Sequence, residues 1–170
     1  MILLVHLLFG AAIGSMVKNI PLAIILAFLS HYFLDLFPHV EYPIKNITEK
    51  NWKRSLPDFL KILIDFTLGA LLVFLLSPKT PLVFICAFFA ILPDGLTVLS
   101  AFSSNKFFGL HNNLHRKKIH FLKYKKTKAP NELGARPSTK NLIFSALVSI
   151  PFRIMSQVAV IIISIVLLRL

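Results

Sequence analysis

Long apolar runs separated by short polar breaks are the main pattern along this chain. The runs extend from Ile2 to Val17, from Pro21 to Phe37, from Asp58 to Ser77, from Pro81 to about Phe102, and through Leu142 to Leu170. A helix that crosses a bilayer needs ~20 mostly apolar residues, with a range of about 17 to 25. The pattern therefore predicts an all-α fold, a polytopic membrane helix bundle of about five transmembrane helices.

Two prolines refine the predicted ends of the last two spanning helices. Pro93 and Gly95 interrupt the fourth run, so we expect its regular part to end near Leu92. Pro151 predicts the start of the spanning part of the last helix, because proline is favoured in a first turn.

The breaks at 18–20 and 78–80 leave room only for tight turns, so they predict two helix hairpins. Val5 to Ala12 aligns with Ile64 to Leu71, and the match predicts a repeat, with chance similarity among apolar residues as the alternative. The predicted organisation is a four-helix membrane core at 1–103 (hairpins 1–38 and 58–103), a basic cytoplasmic loop at 104–141, and a C-terminal transmembrane helix at 142–170.

Composition and charge agree with a membrane location. The chain is 56% hydrophobic and only 15% charged, whereas soluble domains have about a quarter of their residues charged. Most of the Lys and Arg residues behind the net charge of +12 lie in the two longer loops. The positive-inside rule then predicts the cell (inner) membrane with a cytoplasmic N-terminus and an extracytoplasmic C-terminus. The expected partners are the bilayer and anionic lipid headgroups; nucleic acid is not expected, because no aromatic and basic interleaving appears.

Ionisable side chains occur inside the apolar runs, where a carboxylate costs roughly 2.5–3.5 kcal/mol at the helix centre and faces the bundle interior. The predicted topology places them in one layer near the cytoplasmic end. His and Asp are ligands of divalent metals, with zinc favoured and manganese or iron as alternatives. The predicted ligands are His6, His31, Asp35, Asp65 and Asp94, with His39, His111 and His115 closing the site.

Each of these residues also has a simpler explanation. A single histidine such as His6 on an apolar helix is more often a hydrogen-bonded core residue than a ligand. Asp94, between Pro93 and Gly95, fits ordinary turn chemistry. The metal hypothesis depends on the residues occurring together at one depth.

Four short motifs resemble those of a known family. His6 to Gly10 has the form His-x-x-x-Gly, His31 to His39 contains His-x-x-x-Asp, Leu92 to Asp94 is Leu-Pro-Asp, and His115 to His120 has the form His-Arg-x-x-x-His. Over about the first 120 residues the chain is similar to the membrane-bound metal-dependent hydrolase family of bacterial inner-membrane proteins. The resemblance implies metal binding; hydrolase activity in that family is itself a prediction.

The function expected from the sequence is a metal-dependent hydrolase of a phosphoester or lipid-like substrate. Asp35 or Asp65 would act as the general base, and Arg116, Lys117 and Arg153 would hold the substrate phosphate or lipid headgroup. One alternative is a proton or cation transporter, since buried Asp and His chains form such relays. Another is a non-catalytic membrane structural or assembly protein whose polar residues lock helices together.

Overall fold

The computed structural model describes residues 2–37, 39–102, 110–111 and 139–169, with the side chains of the last segment from residue 151 onward. Its elements are the helices α1 (Leu3–Met16), α2 (Ile20–Asp35), α3 (Lys45–Thr48), α4 (Leu56–Leu76), α5 (Pro81–Phe102) and α6 (Thr139–Arg169), with a 3-10 turn at Trp52–Arg54. The described part of the chain contains no strand. The predicted all-α helix bundle is confirmed.

The helices differ in the thickness of bilayer they can cross. The helices α4 and α5 and the Pro151–Arg169 part of α6 are long and apolar enough to span a membrane. The helices α1 and α2 have 14 and 16 residues, which is about 21 and 24 Å at ~1.5 Å per residue. Three of the five predicted spanning helices therefore reach full length, and two are short apolar helices.

The prediction for Pro93 is wrong, whereas that for Pro151 holds for the spanning part of the last helix. The helix α5 continues through Pro93 to Phe102, so the predicted end near Leu92 is wrong. Proline removes only one backbone hydrogen bond, and the helix resumes in the next turn, where the Thr97 hydroxyl donates to the Pro93 carbonyl at 3.1 Å. Pro151 likewise lies inside α6, which begins at Thr139, although the candidate spanning part does start at this proline.

The short helix α1 is the centre of the bundle, since it packs against α2, α4, α5 and α6. Its buried residues follow one another almost without interruption, from Val5 through Leu8 and on from Gly10 through Ala12. A helix that is apolar on all sides is expected in the interior of a protein, and α1 lies in the interior of this bundle.

Two glycines one turn apart bring α1 into close contact with α5. A Cβ atom on Gly10 would lie 2.5 Å from the Ala90 Cβ and 2.7 Å from the Cys86 carbonyl oxygen. A Cβ atom on Gly14 would lie 2.9 Å from the Val83 Cα. Small residues spaced in this way let membrane helices approach backbone to backbone, and this contact fixes the position of α1 along α5.

We expect Gly10→Ala to destabilise the protein by about 1–3 kcal/mol, because the added methyl group forces α1 away from α5. Gly95→Ala is the matched control, since a Cβ atom there meets nothing within 4 Å and alanine favours the helix. Thermal unfolding of both variants in detergent measures the difference. Equal stability of the two variants would contradict the close packing at Gly10.

Candidate metal centre

Histidine and aspartate side chains from three helices meet at one end of the bundle. His6 comes from the first turns of α1, His31 and Asp35 from the last turns of α2, and Asp94 from α5 one residue after Pro93. The side chains of His6, His31 and Asp35 have no solvent exposure, and that of Asp94 is 25% exposed. The cluster is therefore buried except at Asp94, whose side chain is partly exposed.

The distances in this cluster match those between ligands of one ion. His6 Nε2 lies 3.4 Å from Asp35 Oδ1, and His31 Nε2 lies 3.2 Å from Asp35 Oδ2 and 3.6 Å from Asp94 Oδ1. Two ligand atoms each ~2.1 Å from a tetrahedral ion are ~3.4 Å apart; N–H···O hydrogen bonds are ~2.7–3.2 Å long, so the 3.2 Å contact of His31 with Asp35 also fits a hydrogen bond. One ligand atom from each of His6, His31 and Asp94 lies within 4.8 Å of the other two, so these residues could hold a metal ion.

A backbone carbonyl orients the His31 ring. His31 Nδ1 lies 2.8 Å from the Ala90 carbonyl oxygen, in the turn of α5 that precedes Pro93. A carbonyl oxygen only accepts, so Nδ1 carries the hydrogen and Nε2 faces the two carboxylates. Metal-binding histidines are commonly held in this way, with the second ring nitrogen donating to a carbonyl or carboxylate.

His6 is completely buried, and neither of its ring nitrogens has a hydrogen-bond partner among the described residues. Its ring stacks on that of His31, with centroids 4.1 Å apart, and its Nε2 faces Asp35 at a distance longer than a typical hydrogen bond. A buried polar group without a partner costs about 1–3 kcal/mol. A cation between the two imidazoles and the carboxylates would bind the unsatisfied lone pair of the His6 ring. This set of nitrogen and oxygen ligands therefore fits a divalent metal.

His39 lies at the edge of the cluster. Its Nδ1 lies 2.7 Å from the Phe37 carbonyl oxygen, and its Nε2 lies 2.7 Å from Glu41 Oε1 and 3.8 Å from Asp35 Oδ1. Glu41 was not among the predicted site residues, although its position two residues after His39 was a usable signal. The segment after α2 thus adds an imidazole and a carboxylate beside Asp35.

Asp65 binds backbone rather than the histidines. Its carboxylate accepts the amides of Leu3 at 2.7 Å and Leu4 at 3.2 Å, and the Tyr42 hydroxyl at 3.1 Å. The first amides of a helix have no partner within it, so Asp65 caps α1. Burial raises the pKa of Tyr42, and the nearby Asp65 carboxylate raises it further, which keeps the hydroxyl as a donor. Asp65 therefore fixes the start of the helix that carries His6.

Of the other predicted site residues, the structure describes His111 and Arg153. His111 Nε2 contacts the Pro93 carbonyl oxygen at 3.0 Å, one residue before Asp94. Arg153 is partly buried on α6, one turn before Gln157, whose side chain donates to the Val40 carbonyl at 2.8 Å. Gln157 was not predicted, although a polar side chain in a spanning helix was the available signal. His115, Arg116 and Lys117 lie outside the described residues.

Comparison of the chain with protein-family models, with curated proteins and with solved structures finds no match. The class is defined by the fold and the site: a helical membrane bundle with a His and Asp group that could hold a metal ion. The resemblance to the membrane-bound hydrolases stays a prediction from short motifs.

We expect Asp65→Ala to speed hydrogen exchange of the Leu3 and Leu4 amides by about tenfold or more, because a hydrogen bond to a charged group contributes about 1.5–3 kcal/mol. Asp65→Asn keeps one acceptor oxygen and should have a smaller effect, and Tyr42→Phe smaller still. Exchange mass spectrometry of the N-terminal peptide measures this. Unchanged exchange in Asp65→Ala would contradict the capping role.

Proposed function

We propose that this protein is an integral membrane metal-binding protein that acts as a metal-dependent hydrolase on a phosphoester or lipid-like substrate. The observation that carries the proposal is the convergence of His6, His31 and Asp94 at ligand spacing, with a completely buried His6 that no described residue hydrogen-bonds. Helices that bury ionisable groups in a membrane usually do so for function.

His6, His31 and Asp94 are the proposed metal ligands, and the mixed nitrogen and oxygen set favours zinc, with manganese or iron as alternatives. The ion would supply Lewis acidity and a nucleophile from water at neutral pH. Asp35 lies 3.2 to 3.8 Å from three imidazole nitrogens. From that position its carboxylate would accept the proton of the attacking water.

The surroundings of the cluster support a lipid-like substrate. Leu36 and Phe37 follow Asp35 directly and are 47% and 45% exposed, so the surface that follows Asp35 along the chain is apolar. Arg153 is the proposed phosphate-binding residue within the described chain, and Arg116 and Lys117 are proposed from sequence alone. The charge asymmetry of the loops supports an inner-membrane protein with a cytoplasmic N-terminus and an extracytoplasmic C-terminus.

A proton or cation transporter is the second candidate. Contacts of 2.7 to 3.8 Å run from Glu41 through His39 and Asp35 to His31, and Glu41 is partly exposed. Such a chain suits proton transfer. The opposite half of α1 packs against α5 through Gly14, Val83 and Cys86. These three residues carry neither a carboxylate nor an imidazole, so the hydrolase is favoured.

The first experiment is metal analysis of the detergent-purified protein by elemental mass spectrometry. We expect about one divalent ion per chain, lost in His6→Ala and in His31→Ala, because each removes one of the three proposed ligands. Asp65→Asn is the matched control and should retain the metal, since Asp65 binds the α1 amides. Wild-type protein that stays metal-free after incubation with zinc, manganese and iron would refute the metal site and favour the relay or a purely structural role.

Catalysis is tested separately with Asp35→Asn, which keeps the shape of the side chain and an acceptor oxygen. We expect the variant to retain metal and to lose about 10²- to 10⁴-fold in turnover, the usual contribution of a general base. The assay uses metal-loaded wild type and variant with a chromogenic phosphoester and with a phosphatidic acid in micelles. Equal turnover in the two proteins would exclude Asp35 as the base.

A further inference from the structure

An aromatic cluster with exposed rings lies where α5 ends and α4 begins. Trp52 stacks on Phe102 with ring centroids 4.6 Å apart, and the Phe59 ring lies beside Phe102 with centroids 6.2 Å apart. Trp52 is 44% exposed and Phe102 57%. Tryptophan is enriched at the level of the lipid headgroups, because its ring is apolar and its N–H is polar.

Three basic residues lie next to Trp52 in the segment 50–54. Lys50, Lys53 and Arg54 are all exposed, and no described carboxylate forms an ion pair with any of them, whereas Lys45 pairs with Glu49 at 3.7 Å. Basic residues close to a membrane surface attract anionic lipids. The segment 50–54 therefore combines an interfacial aromatic ring with cations that are available to headgroups.

The segment is also held in a defined conformation. The Ser55 hydroxyl donates to the Trp52 carbonyl at 2.8 Å, and the Asp58 carboxylate accepts the Asn46 amide at 2.8 Å. The side chain of Ile47, on α3, is completely buried and anchors the preceding turn. A preformed binding surface loses less conformational entropy when a ligand binds.

We propose that Trp52, Phe102, Lys50, Lys53 and Arg54 form a binding site for the headgroup of an anionic phospholipid of the surrounding bilayer. The aromatic rings would lie at the boundary between headgroups and acyl chains, and the cations would contact the phosphate. Phe102 follows Asp94 by eight residues on α5, about 12 Å along the helix, so the lipid site lies at the same end of the bundle as the metal centre. It does not depend on the proposed hydrolase activity.

Trp52 is the only tryptophan of the chain, so its fluorescence reports on this surface alone. The protein is placed in nanodiscs of zwitterionic lipid that contain a small fraction of brominated lipid, either anionic phosphatidylglycerol or phosphatidylcholine with the same acyl chains. We expect the anionic quencher to be enriched around Trp52 by about fivefold at low salt, since each nearby basic residue contributes to anionic-lipid attraction. We expect the enrichment to fall to near onefold in the Lys53→Gln, Arg54→Gln double variant.

Lys79→Gln is the matched control, because Lys79 is an exposed cation in the turn at the opposite ends of α4 and α5; it should leave the enrichment unchanged. Equal quenching by the two brominated lipids in the wild type would overturn the proposal, as would a preference that survives in the double variant. A preference abolished by millimolar inorganic phosphate, but not by the same ionic strength of chloride, would also overturn it in favour of a free-phosphate site.

Discussion

A carboxylate without solvent exposure has to be compensated by positive charge or by donors, and Asp35 imposes this constraint on the whole bundle. Its two oxygens face His6, His31 and His39 at 3.2 to 3.8 Å. An ionised carboxylate moved out of water with no such partners would cost far more than the few kcal/mol that stabilise a typical protein. The ends of α1 and α2 and the segment after α2 must therefore stay together.

Two kinds of contact hold His6 in that arrangement. The close approach at Gly10 fixes α1 along α5, and the Asp65 carboxylate fixes the first turn of α1 through the Leu3 and Leu4 amides. Tyr42 donates to the same carboxylate, so the segment that carries His39 and Glu41 is tied to the same point. Asp65, on α4, thus holds the start of α1 and the segment after α2 together by hydrogen bonds, although it is not itself a member of the cluster.

The sequence predicted the helices well because long apolar runs are a strong signal, and it predicted that His6, His31, Asp35 and Asp94 share one end of the bundle because helix direction alternates at each turn. It did not predict the role of Asp65, because whether a buried carboxylate meets histidines or backbone amides depends on how α4 rotates against α1. The hydrophobic periodicity did not predict which face of α4 meets α1, since nearly every position of these helices is apolar. The continuation of α5 past Pro93 was missed because proline removes only one backbone hydrogen bond, and the helix resumes in the next turn.

The length of α2 has a consequence for the lipid around it. The helix exposes Ile25, Leu29 and Phe33, yet its 16 residues extend only about 24 Å, less than the ~30 Å thickness of a hydrocarbon core. A bilayer meets such hydrophobic mismatch by thinning locally, at a cost of a fraction of a kcal/mol per Å. Headgroups beside α2 would then lie closer to the bilayer centre, and therefore closer to the buried carboxylate and imidazoles at the end of this helix.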